Sequence, residues 1–197
     1  MARALSAAGI SPDSISLTSV VFAVAAGVLL WLSGGSYGLA RALELLGAAA
    51  LIQLRLLCNM LDGMVAIEGG RRTPHGEISN DFPDRIADLA ILLGAGYSLT
   101  AFAWGRELGW VAGAFAILTA YVRVLGSAIG TRQYFIGPMA KPQRMAVMTV
   151  ACVFSTLEPF VGWRGEIVAT ALVVIVAGSV ITLVRRTARI IVDANAR

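Results

Sequence analysis

Six stretches of this chain, near residues 15–33, 41–66, 78–101, 108–130, 141–159 and 165–190, stay apolar over windows of about 20 residues, the length a helix needs to cross a bilayer. No other feature constrains the fold as strongly. In lipid every backbone N–H and C=O must find its partner inside the protein, and a helix satisfies them within its own segment. Hydrophobic residues make up 57% of the 197 positions and charged ones 14%, more apolar surface than a water-soluble domain of this length can hide. Short connectors such as Ser33-Gly34-Gly35-Ser36 and Gly69-Gly70 separate the stretches, and none is long enough to hold a second domain. The sequence therefore predicts an all-α integral membrane protein, one domain over 1–197, with six transmembrane helices behind a short amphipathic N-terminal segment. The first stretch lacks a basic run beyond Arg3 and a prompt small-residue cleavage site, so it reads as a helix and not as a signal peptide.

The basic residues orient the chain. Ten of sixteen (Arg3, Arg71, Arg72, Arg132, Lys141, Arg144, Arg185, Arg186, Arg189 and Arg197) fall at one set of helix ends, and Arg41, Arg106 and Arg164 fall at the other. Positive charge is retained on the cytoplasmic side, so both termini are expected in the cytoplasm. Trp31, Trp104, Trp110 and Trp163 all map to the far end, where one aromatic belt would lie. The net charge of +4 is thereby used without nucleic acid. Gly105, Gly109 and Gly113, and then Gly126 and Gly130, space small residues four apart, as close helix contact requires; a dimer seam is the sharper alternative. Cys58 and Cys152 lie in apolar stretches without metal-ligand spacing and read as core thiols.

Arg55, Asn59 and Asp62 in the second stretch, and Asn80, Asp81, Asp84, Arg85 and Asp88 in the third, break the apolar pattern. Each charge inside a spanning helix costs about 2.5–3.5 kcal/mol on insertion scales, so a cluster needs a reason. At about 100° per residue, Asn59 and Asp62 share one face, and Asn80, Asp84 and Asp88 drift by about 40° a step along one stripe. If the two helices are antiparallel neighbours, carboxylate and amide oxygens converge into an oxygen-only site of the kind Mg²⁺ or Mn²⁺ takes. A structural network, with Arg55 and Arg85 neutralising Asp62 and Asp84, is the competing explanation. It leaves the adjacent small residues Gly63, Ala66 and Gly76 without a purpose, whereas a ligand would use the room.

In register the segment reads Asn59-x2-Asp62-Gly63-x2-Ala66-x9-Gly76-x3-Asn80-x3-Asp84. It resembles the signature of the CDP-alcohol phosphotransferase family, Asp-x2-Asp-Gly-x2-Ala-Arg-x8-Gly-x3-Asp-x3-Asp, with every spacing kept. Ser11-Pro12-Asp13-Ser14-Ile15-Ser16 is similar to the family's Pro-Asn-x-Ile-Thr run before the first helix, and Arg123, Lys141 and Arg144 stand where members place basic groups for the acceptor. The resemblance spans nearly the whole chain. It implies transfer of a substituted phosphate, usually phosphatidyl, from a CDP-linked lipid such as CDP-diacylglycerol to a polar alcohol, with release of CMP, in phospholipid biosynthesis. It further implies one or two Mg²⁺ or Mn²⁺ ions held at Asp62, Asp84, Asn59 and Asn80, and Asp84 as the base for the acceptor hydroxyl. CDP would lie along Asp62, Gly63, Ala66, Gly76 and Arg71, and the acceptor at Arg123, Lys141 and Arg144. A homodimer in the inner membrane, its site facing the cytoplasm, is the implied setting.

The departures are chemical. Asn59 and Asn80 replace Asp, and Ile67 replaces Arg, with Arg71 and Arg72 near enough to offset that loss. An amide oxygen still coordinates Mg²⁺ but brings no charge. If Arg123, Lys141 and Arg144 form a pocket, they favour an anionic acceptor such as a sugar or polyol phosphate; membrane anchoring is the alternative for Lys141 and Arg144. Two rivals remain. One is a degenerate, non-catalytic member that binds CDP-lipid or a partner enzyme. The other is a Mg²⁺-dependent intramembrane prenyltransferase, whose Asn-Asp-x2-Asp-x3-Asp run matches Asn80-Asp81-x2-Asp84-x3-Asp88. That rival needs a second acidic motif, and Glu107, Glu158, Glu166 and Asp193 do not cluster in sequence. No helix pair shows the matched mid-depth interruptions of a small transporter.

Overall fold

The structure, a computed structural model, describes residues 11–68 and 76–196, and the side chains among them except those of 66–68, 76, 77, 79 and 80. The described chain is all helical: α1 (Pro12–Ser33), α2 (Gly38–Glu68), α3 (Gly76–Ser98), α4 (Gly105–Ala128), α5 (Lys141–Ser155) and α6 (Glu166–Asn195), with a 3-10 turn at Glu158–Val161. Four segments are long and apolar enough to cross a membrane by length and composition, namely Pro12–Ser33, Gly38–Val65, Gly105–Ala128 and Glu166–Asn195. The protein is thus a membrane protein. In α3 the acidic N-terminal half dilutes the apolar run, and α5 has only 15 residues.

Local chemistry explains several boundaries. The run Ser11–Ser16 does not precede the first helix but starts it. Ser11 Oγ accepts the Ser14 N–H at 3.1 Å, and Pro12 takes the first helical position, where its missing N–H costs nothing. The expected amphipathic segment before it lies outside the described residues. Instead of running on to 159, α5 stops at Ser155, because Glu158 folds back and accepts the backbone N–H groups of Gly165 and Ile167, each at 2.8 Å. Glu158 is fully buried and also receives Arg41 at 2.6 Å, so the two form one buried anchor.

The principal packing contacts run α2–α1–α3–α4–α6–α5 and back to α2, a closed ring. The second and third helices are therefore not the close neighbours expected from sequence, since α1 separates them. Glycine sets the tightest crossings. A Cβ on Gly94 would fall 2.1 Å from the Gly27 carbonyl oxygen, and one on Gly109 would fall 2.9 Å from the Gly96 Cα. The Gly105-Gly109-Gly113 ladder is accordingly spent on α3 within the same chain, as close contact without a hydrophobic drive requires. Cys152 is buried in the core and Cys58 half-buried, both as free thiols.

Removing one partner of a buried ion pair strands the other charge, at about 3–5 kcal/mol. Glu158→Ala is expected to lower the thermal midpoint in detergent sharply. An unchanged midpoint would show that the Arg41–Glu158 anchor contributes nothing to the fold.

Candidate active site

The polar side chains gather at one end of the bundle, where α1, α3 and α5 begin and α2, α4 and α6 finish. The four tryptophans lie toward the other end, in the last turn of α1, just before and early in α4, and just before α6. Asp88 occupies the middle of the polar cluster. It is 1% exposed; Oδ1 accepts Arg55 Nη2 at 2.7 Å from α2, and Oδ2 accepts Arg144 Nη2 at 2.8 Å from α5. Arg144, also 1% exposed, donates besides to the Met139 carbonyl at 3.1 Å and to Thr119 Oγ1 at 3.2 Å. Neither arginine is a membrane anchor.

One turn nearer the helix start, Asp84 is wrapped in donors. Asn59 Nδ2 reaches Oδ1 at 2.8 Å, Arg55 Nη2 reaches it at 3.3 Å, and Lys141 Nζ pairs with Oδ2. Asn59 turns its amide nitrogen toward Asp84, because a carboxylate only accepts hydrogen bonds and an amide beside it must present its N–H. Lys141, for which acceptor binding and membrane anchoring stood as alternatives, is ion-paired to the candidate base. Arg85 pairs with Asp81 one turn away at 3.3 Å, as the spacing suggests, and Arg123 joins the same Asp81 oxygen at 2.6 Å.

Asp62 stands apart from these pairs. It is 2% exposed; Oδ2 accepts Ser16 Oγ at 2.7 Å from α1, whereas Oδ1 is buried with no hydrogen-bond partner. The neutralisation of Asp62 by an arginine that the competing structural network calls for is absent among the described residues. Beside it a Cβ on Gly63 would meet nothing within 4 Å, so the helix is open there. Arg71 lies outside the described residues, and the side chains at positions 66, 76 and 80 lie outside the described side chains.

A cavity of about 320 Å³ opens next to Asp84, lined by Asp81, Arg85, Thr119, Arg123, Lys141, Arg144 and Arg186 among others. All three expected acceptor residues are therefore brought together. Arg186 was missed: in sequence it is one of a run of basic residues at a helix end, yet it is buried, donating to the Thr119 carbonyl at 2.7 Å and the Ile136 carbonyl at 3.0 Å. The signal was present in Ser179, Thr182 and Arg186, polar residues on one side of an otherwise apolar helix. Ser16 gave no such warning.

A divalent cation fits this donor set in one way. Among the described residues no three His, Cys, Asp or Glu side chains converge on a common point. The unpartnered oxygen of Asp62 is a hard, buried donor, and Asp84 lies close enough to interact with it electrostatically. Mg²⁺ is commonly held by one or two carboxylates with substrate phosphates completing the shell, and these residues suit that arrangement.

No family model matches the chain. It is 28% identical over 159 residues to phosphatidylinositol phosphate synthase of Mycobacteroides abscessus, covering 79% of this chain and 67% of the relative. The counterpart in Mycolicibacterium smegmatis is 27% identical over 191 residues, covering 94% and 80%. Among solved structures, the Mycobacterium tuberculosis phosphatidylinositol phosphate synthase with CDP-DAG bound superposes with a TM-score of 0.78 at 25% identity, over 96% of this chain and 90% of that one. The same synthase in complex with manganese and citrate shares the fold, with a TM-score of 0.79 at 24% identity over 96% and 86%.

Asp88 and Asp81, both on α3, differ in what they hold. Asp88→Ala strands two buried arginines, and a stability loss of about 3–5 kcal/mol is expected. Asp81, with its side chain 36% exposed, pairs in contact with solvent, so Asp81→Asn should cost under about 1 kcal/mol. Thermal unfolding of both variants in one detergent checks the contrast, and equal losses would contradict it.

Proposed function

The chain belongs to the CDP-alcohol phosphotransferase family, and we propose that it transfers the phosphatidyl group of CDP-diacylglycerol to a phosphate-bearing alcohol, releasing CMP. One observation carries the reading: a carboxylate, Asp84, forms one wall of a cavity whose other walls present Arg123, Lys141, Arg144 and Arg186. Guanidinium groups grip phosphate through paired N–H donors, so the basic wall suits an anionic acceptor and leaves its hydroxyl free to face Asp84. The relatives are phosphatidylinositol phosphate synthases, which makes inositol phosphate the first acceptor to test.

In this reading Asp84 accepts the hydroxyl proton as the acceptor oxygen attacks the phosphorus that carries diacylglycerol. The bond from that phosphorus to the bridging oxygen breaks, and CMP leaves with the electron pair. An acceptor phosphate entering the cavity competes for Lys141 and frees the carboxylate to act as base. A divalent cation, Mg²⁺ or Mn²⁺, when bound at Asp62, supplies charge neutralisation for the diphosphate and the leaving CMP. Asp62 and Gly63 border the donor, and Ala66, Arg71, Gly76 and Asn80 are assigned to it by motif position. Asn59 acts through its hydrogen bond to Asp84.

The setting follows the same reading. In it the chain crosses the inner membrane six times with both termini and the site on the cytoplasmic side; the ten-to-three split of basic residues and the tryptophans at the opposite end support this. Family resemblance supports a homodimer. The cations on Asp84 favour one rival specifically, a chain that binds CDP-lipid without turning it over.

Purified protein incubated with CDP-diacylglycerol, Mg²⁺ or Mn²⁺ and a panel of polar alcohols, inositol phosphate included, should yield CMP and a new phospholipid identified by mass. Binding without CMP release across the panel would favour the non-catalytic rival. Asp84→Asn should slow CMP release by about 10²–10⁴-fold, the usual worth of a general base, with the fold retained. Near-normal turnover in that variant removes Asp84 from the role.

A further inference from the structure

The distribution of charge around Asp62 and Asp84 bears on the order in which ligands assemble. Among the described residues, the carboxylates of Asp62, Asp81, Asp84 and Asp88 are outnumbered by six cationic groups in the same connected cluster and cavity: Arg55, Arg85, Arg123, Lys141, Arg144 and Arg186. Asp88 is spent on two arginines, and Asp81 on two others. On Asp84, Oδ1 receives Asn59 and Arg55 while Oδ2 receives Lys141. That leaves Asp62 Oδ1 as a buried carboxylate oxygen with no partner. One such oxygen in a cationic setting is a poor site for a bare dication, and cations nearby raise the electrostatic cost of entry. The same surplus attracts a diphosphate, which brings both negative charge and the missing oxygen ligands.

We infer that the divalent cation and the donor's diphosphate bind this chain as a unit, each weak without the other, with Lys141 occupying the Asp84 carboxylate through their ion pair. The inference rests on the donor reading given above. Reciprocity follows from linkage: whatever factor the nucleotide contributes to metal affinity, the metal contributes to nucleotide affinity. Two positions set the coupling. Lys141 withholds Asp84 from the ion, and Asn59 contributes an N–H where a carboxylate would add charge. A chain altered at either position has a site closer to self-sufficient.

The test uses the full chain in detergent micelles, Mn²⁺ followed by electron paramagnetic resonance, and CDP followed by calorimetry, so that turnover plays no part. Saturating CDP should tighten Mn²⁺ binding by about tenfold or more, and saturating Mn²⁺ should tighten CDP by the same factor. Asp62→Asn should abolish the coupling. Lys141→Met and Asn59→Asp should each raise Mn²⁺ affinity in the absence of CDP and shrink the coupling; two variants guard against one of them failing to fold. Mn²⁺ binding that is equally tight with and without CDP overturns the inference while leaving the donor reading intact. If CDP binds under no condition, with or without Mn²⁺, the donor reading itself fails and takes this inference with it.

Discussion

Asp88 accepts Arg55 from α2 on one oxygen and Arg144 from α5 on the other, and in doing so ties three helices together at a level that water does not reach. Lipid offers no hydrophobic drive between helices, so specific polar contacts and close small-residue packing must hold the bundle. The clamp supplies the first, and the Gly27–Gly94 and Gly96–Gly109 crossings supply the second. Because α1 lies between α2 and α3 in the packing ring, the gap between those two helices is bridged by side chains and not closed by backbone. That gap is where Asp62 and Asp84 sit. A site for a polar ligand in a membrane protein needs such a wedge, and Arg55 reaches across it to Asp84 and Asp88 while Asp62 keeps one oxygen unpartnered.

The opposite end of the bundle uses the same physics for another purpose. Glu158 is fully buried, and each of its oxygens is met by a backbone N–H at the start of α6, with Arg41 completing the charge balance. Nothing there is left unsatisfied on the carboxylate and no cavity adjoins it among the described cavities. The contrast with Asp62 is instructive. Both are buried acids in a helical membrane protein, but one has every oxygen partnered and the other keeps one free. A finished network stabilises; an unfinished one beside open space marks a place for something to bind.

The replacement of acids by amides at positions 59 and 80 shifts the balance of the cluster toward positive charge. For Asn59 the consequence is visible: its N–H stabilises Asp84 as an acceptor and keeps that carboxylate in place beside Lys141. A cluster with this sign discriminates against free cations and in favour of anionic ligands. The resemblance to phosphatidylinositol phosphate synthases fits such a preference, since both partners of the proposed reaction carry phosphate.

Length and apolarity alone determined that this chain is a helical membrane protein, because a bilayer admits few other solutions for backbone hydrogen bonds. The spacing from Asn59 to Asp84 determined where polar side chains gather, since residues a turn apart must share a helix face. Only the tertiary structure decided which charges meet. Sequence separation carries no information on whether Lys141 reaches Asp84, 57 residues away, or Arg41 reaches Glu158, 117 residues away. It also concealed Arg186 among basic residues that resemble an interfacial anchor, and Ser16 in a helix start. A hydrogen-bonded ion pair forms only when its atoms come within about 3 Å, so a pairing is settled by how the helices pack, and that packing depends on contacts spread across the whole ring.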